Sequence, residues 1–132
     1  MQSMKLQYIE WHDAKLGKIE LRPGGDLLLC FEHICSYHQP DTGNTEVWSS
    51  KAEIILKQVS FFSIDNVFLD TYLDGSLLDA EGKEVSLLPI GSEKPVSEFN
   101  LFLAGVGTNI IIKAKSAQIE SLQAIEKLEE IE

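Results

Sequence analysis

Cys30, His33, Cys35 and His38 are the one group in this chain whose types and spacing suggest a reaction centre or a bound ion. Thiolate and imidazole are the ligands that zinc prefers. A thiol beside an imidazole is also the start of a nucleophilic pair. Both chemistries need convergence. On a regular strand, Cys30 and His38 point one way and His33 and Cys35 the other. On a helix the four also fail to share a narrow face, so only a bulge or a local break would bring them together. His12 is the remaining histidine, and there is no further cysteine. Buried thiols with half-exposed histidines are the commoner explanation. The four residues are therefore carried forward only as metal candidates, and no cofactor is expected. A catalytic thiolate wants an electropositive, accessible setting, which this acidic chain does not offer. A Gly-x-Ser-x-Gly nucleophile elbow is missing too.

Three weaker constellations remain. Asp13 can accept from the ring of His12 or cap a neighbouring backbone N–H. The two form either a polar brace or a functional pair. Asp65, Asp70, Asp74, Asp79, Glu81 and Glu84 crowd one region. Paired carboxylates serve acid–base work or bind calcium. Yet Asp74-Gly75 and Glu81-Gly82 are what turns use, and EF-hand spacing is absent. Gly105, Gly107 and Thr108 resemble a fragment of a phosphate loop. They lack its lysine and its following helix, and a hairpin turn is the better reading.

The elements that would position these residues are mostly strands. Residues 18–22, 26–31, 52–56, 100–103 and 109–114 alternate or run apolar between Gly, Asn and Pro turns. A two-residue period describes a sheet. Apolar parity shifts between Leu16 and Ile19, which predicts a bulge at Gly17. Pro23, Gly24 and Gly25 predict a turn. Residues 27–59 read as a hairpin around the loop at 39–44. A strand is expected near 67–73, a turn at Asp74-Gly75, a small hairpin over 77–88, a mobile loop over 89–97 and a last hairpin over 99–114 with its turn at 104–107. The expected core includes Trp11, Leu16, Ile19, Leu27, Leu29, Phe31, Trp48, Ile54, Leu56, Phe68, Leu101, Leu103 and Ile111. From 118 onward Gly and Pro vanish, and Ile119, Leu122, Ile125, Leu128 and Ile131 recur between charges. Good helix formers fill the gaps. That spacing predicts one amphipathic helix over about 118–131, covering an open edge or face of the sheet or making a dimer contact.

Composition narrows the function. The 132 residues suit one domain. Acidic side chains outnumber basic ones 21 to 11, a formal charge of −10. Such a field repels phosphate backbones, so nucleic acid is not an expected partner, whereas a basic protein is compatible. No apolar run approaches the ~20 residues that cross a bilayer. The N-terminus lacks a signal-peptide pattern. A cytoplasmic location with reduced thiols is the default expectation.

The stretch Trp11-His12-Asp13-Ala14 with Leu16, the Gly/Asp turn, Leu27-Leu28-Leu29 and the returning residues 52–56 resemble a group of small uncharacterised bacterial proteins. Members carry a His-Asp-Ser or His-Asp-Ala signature ahead of an antiparallel sheet. They close with a Gly-x-x-Ile-x-Ile-x-Ala-type strand, here Gly107 to Ala114. Some relatives are grouped with immunity proteins of polymorphic toxin systems. The resemblance spans most of residues 11–119 and leaves out the tail. It implies a small β-rich domain with no established catalytic residues, and it transfers no site to this chain.

The expectation is thus a mainly β protein: six to eight antiparallel strands in a sandwich or strongly curved sheet, with one C-terminal amphipathic helix. Its expected role is non-enzymatic binding of a basic protein partner through an acidic surface, in the manner of an immunity protein. The alternatives are a small-molecule or metal-binding β domain, with or without enzymatic activity, centred on the Cys/His cluster, and a homo-oligomer joined by the C-terminal segment.

Overall fold

The computed structural model describes residues 4–65, 72–103 and 108–131. Its strands are β1 (Met4–Arg22), β2 (Asp26–Pro40), β3 (Thr45–Lys57), β4 (Phe61–Asp65), β5 (Tyr72–Leu78), β6 (Lys94–Pro95), β7 (Glu98–Leu103), β8 (Thr108–Lys113) and β9 (Ser116–Ile131). They form one nine-stranded sheet in the order β4-β8-β7-β5-β1-β2-β3-β9-β6. Every pairing of these strands is antiparallel. No helix long and apolar enough to cross a membrane occurs among the described residues.

The sheet curves so that strands from its two halves share one core. Phe31 on β2 and Phe99 on β7 are three strand steps apart, about 14 Å in a flat sheet. Their ring centroids are 6.3 Å apart. Trp11 on β1 lies against both, 6.0 Å from Phe31 and 4.9 Å from Phe99. At the far corner, β3 turns into β4 while β8 turns into β9. Lys57 pairs with Ser116 before the corner and Phe61 with Lys113 after it. Gln58 sits there at φ 54, its N–H donating to Asp26 Oδ1 at 3.1 Å.

The segment from 79 to 97 crosses the end of this curl. The Ile9 N–H donates to the Ser86 carbonyl at 2.6 Å and the Ile119 N–H to the Pro89 carbonyl at 2.9 Å. Val85, Leu88 and Val96 are buried beneath it. Residues 89–97, expected as an untethered loop, are therefore stitched to β9. Turn chemistry survives at Asp79, whose carboxylate accepts from the N–H groups of Glu81 and Lys83.

The C-terminal segment corrects an expectation. Residues 118–131 lie in β9, a strand along the whole length of β3, and no helix occurs among the described residues. Register shifts leave Glu120, Ile125 and Leu128 as extra residues on β9. Each bulge resets the alternation of faces. A spacing that imitates a helical stripe is thereby laid out on a strand: Ile119 is buried, Leu122 packs on the core, and Ile125, Leu128 and Ile131 stay exposed. The segment does cover an open sheet edge, as expected, but by hydrogen bonding to it. Backbone pairing with β3 outweighs a propensity difference of a few tenths of a kcal/mol per residue.

Other expectations divide. The bulge at Gly17 is present between the pairs Leu16–Phe31 and Lys18–Cys30, and a Cβ there would meet Glu32 Cγ at 2.7 Å. The hairpin over 27–59 is β2–β3. Asp74-Gly75 is not a turn; both lie in β5, paired with Phe102 and Leu101. Trp48 and Ile111 are only half-buried, because Ile110 and Ile112 are the inward residues of β8. Phe61, Phe62 and Ile64 are exposed on edge strand β4. The strand expected near 67–73 shows only Tyr72 and Leu73 in β5. Its remainder, with Phe68 and the turn at 104–107, lies outside the described residues.

Candidate functional site: an acidic, tyrosine-lined cleft beside His12

The seam between β1 and β5 places the polar pair. From Glu10–Cys35 to Lys15–His33, five steps along β1 face only two along β2. The surplus lifts residues 11–14 away from β2. Ala14 and Lys15 then pair with Leu73 and Tyr72 of β5. Asp13 turns the chain there at φ 62, a conformation that Asp tolerates better than most. Trp11 goes inward, its indole N–H donating to the Val85 carbonyl at 3.2 Å. His12 goes outward.

The His12 ring lies between two carboxylates. Nδ1 is hydrogen-bonded to Asp74, and Nε2 is 3.5 Å from Asp13 Oδ2. The bond to Asp74, then the charge of Asp13, raises the imidazole pKa above its ordinary value. Asp74 was not foreseen as its partner. It stands 62 positions away, and Asp-Gly reads locally as a turn. What brings it there is Gly75, which lets β5 close on Trp11; a Cβ at Gly75 would lie 2.8 Å from Trp11 Cβ.

Beside His12, a cleft of about 470 Å³ opens, lined by Tyr8, Glu10, Tyr37 and Glu84 over the apolar floor of Ile9, Trp11 and Leu77. Tyr8 and Tyr37 stack with centroids 4.1 Å apart. The Tyr37 hydroxyl donates to Glu10 Oε2 at 2.7 Å, and that bond pushes the phenol pKa well up. Carboxylates and π-faces together favour guanidinium or ammonium groups. No local pattern marked Glu10 and Tyr37, and Glu84 stood out only within the acidic cluster, because their meeting depends on register.

The Cys/His group is split. The bulge in β2 between Phe31 and Ile34 puts both of those residues inward. It reverses parity, so His38 faces inward with Ile34 and Ser36, while Cys30 joins His33 and Cys35 on the less buried side. That corrects the assignment from a regular strand. His33 Nε2 is 3.8 Å from Cys35 Sγ, and His33 Nδ1 is 2.6 Å from Ser49 Oγ. Cys30 lies apart, in a groove of about 330 Å³ with Lys18, Glu53 and Ser121. Both cysteines are free thiols, and burial pushes the pKa of each upward, away from thiolate. Among the described residues, no three His, Cys, Asp or Glu side chains are grouped to hold a metal.

His38 is nearly buried, with Nε2 2.8 Å from Ser36 Oγ, which is in turn 2.6 Å from the buried Ser50 Oγ. Burial lowers its pKa, opposed by the charge of Glu46. Below the ordinary value of 6.5 the unfolded chain binds this proton more readily, so stability falls as pH drops from 6.5 toward the lower folded value. The raised pKa of His12 acts with the opposite sign. Urea midpoints measured from pH 7 to 5 should fall less steeply in His38→Gln than in the wild type. Parallel pH profiles would remove His38 from the account.

Comparison with protein-family models, with curated proteins and with solved structures finds no match.

Proposed function

We propose that the chain is a non-enzymatic, immunity-type binding protein for a basic protein partner, one of whose arginine or lysine side chains seats in the cleft between Tyr8, Glu10 and Glu84. The cleft carries this reading. It offers carboxylates and aromatic faces around a formed recess. The formal charge of −10 adds long-range attraction for a basic surface and speeds encounter. His12, held between Asp13 and Asp74, fixes one wall and offers no nucleophile. The resemblance to proteins grouped with toxin immunity supports the same reading.

The test is capture by immobilised protein. At low salt the wild type should retain a basic protein from a lysate of the source cells and release it as ionic strength rises. Glu10→Lys/Glu84→Lys should lose that retention. Equal retention by the variant, or no basic protein retained at low salt, would defeat the proposal.

A further inference from the structure

A second recess has the opposite electrostatic character. The start of β1 and the segment from 87 to 95 enclose an open groove of about 500 Å³. Leu6, Leu88, Ile90 and Pro95 supply much of its lining, which is mostly apolar. Its volume is within the usual range for small-molecule sites, ~300–1,000 Å³. The groove is built rather than incidental. β6 and the Ile90–Ile119 bridge hold one wall to β9, and the buried Leu88 fixes the floor.

The charges at this groove do not follow the rest of the chain. Glu93 is paired with Lys57 at 3.0 Å, so its charge is balanced. Lys5 and Lys94 also line the groove, and neither forms an ion pair among the described residues. In a protein of formal charge −10, a groove lined by two ammonium groups, one of which (Lys94) also feels Asp79 through space, and by one carboxylate already paired to Lys57 is a local exception. Lys stems cover apolar surface while their heads stay in water. An apolar chain lying in the trough would therefore find ammonium groups on the lining for its polar end.

We infer that this groove binds a small amphipathic anion, an unbranched alkyl chain ending in a carboxylate. This goes beyond capture of a basic protein. It uses other residues and the opposite sign of charge, so either reading can fail without the other.

Dodecanoate, kept below its micellar concentration, is the probe, and dodecyltrimethylammonium is the control with the same chain length and opposite charge. Amide shifts on titration should centre on Leu6, Leu88 and Ile90. The wild type should bind dodecanoate about tenfold more tightly than the ammonium, the size expected of two exposed charge contacts. Lys5→Glu/Lys94→Glu should reverse that order. Equal or tighter binding of the ammonium by the wild type would overturn the inference. So would an unchanged dodecanoate affinity in the double variant, or the absence of shifts at those three amides.

Discussion

Phe99→Ala should cost about 3–5 kcal/mol of stability, among the largest losses expected of a single truncation in this core. Phe99 is buried on β7 and touches Trp11 of β1 edge-on while lying near Phe31 of β2. It therefore joins strands that are not neighbours in the sheet. Truncation removes the transfer energy of the ring. It also leaves a void that cannot close easily, because β7 is held on both sides by β5 and β8. A domain of ordinary stability has about 5–15 kcal/mol in total, so the variant should unfold at much lower urea. Equilibrium denaturation of wild type and variant reads this directly. A loss below about 1 kcal/mol would mean that the curl is not closed around this ring.

Gly75→Ala should destabilise by about 1–3 kcal/mol, although it adds only a methyl group. The new carbon would stand 2.8 Å from Trp11 Cβ, 3.0 Å from Leu101 Cδ2 and 3.4 Å from the Trp11 carbonyl oxygen. Leu101 can rotate its tip away. Trp11 Cβ moves only if β1 moves, and the Trp11 indole is anchored to Val85. Strain should therefore be relieved by parting β5 from β1, which carries Asp74 away from His12. The hydrogen bond to Asp74 is the largest cause of the raised imidazole pKa. An NMR titration of His12 should accordingly show its pKa falling toward 6.5 in the variant. Unchanged stability together with an unmoved His12 titration would show that β5 does not depend on a glycine there.

Much of the architecture was legible because alternation is local. The bulge at Gly17, the turn at Gly24-Gly25 and the β2–β3 hairpin follow from a parity shift, two glycines and paired apolar runs. What escaped was non-local. β9 presents helix-forming residues at helix-like spacing, and only its place against β3 turns that pattern into bulges. The His12–Asp13 pair was visible as neighbours. Asp74 was not, because the close approach of Gly75 to Trp11 arises only when β5 meets β1. The Cys/His group misled for a related reason: one bulge in β2 changed the face on which Cys30, His33, Cys35 and His38 were expected.

The three irregularities of β9 have a consequence for how copies of this chain behave when crowded. Among the described residues no strand borders the outer edge of β9 beyond Ser121, and Ile125, Leu128 and Ile131 of that stretch are exposed. A straight, apolar border would be a template for fibre growth. Here the extra residues break the even hydrogen-bond repeat that stacking requires, and the stretch carries Glu126, Glu129 and Glu130, the last paired with Lys127. The stretch with the most exposed apolar side chains is thereby also the least regular border of the sheet.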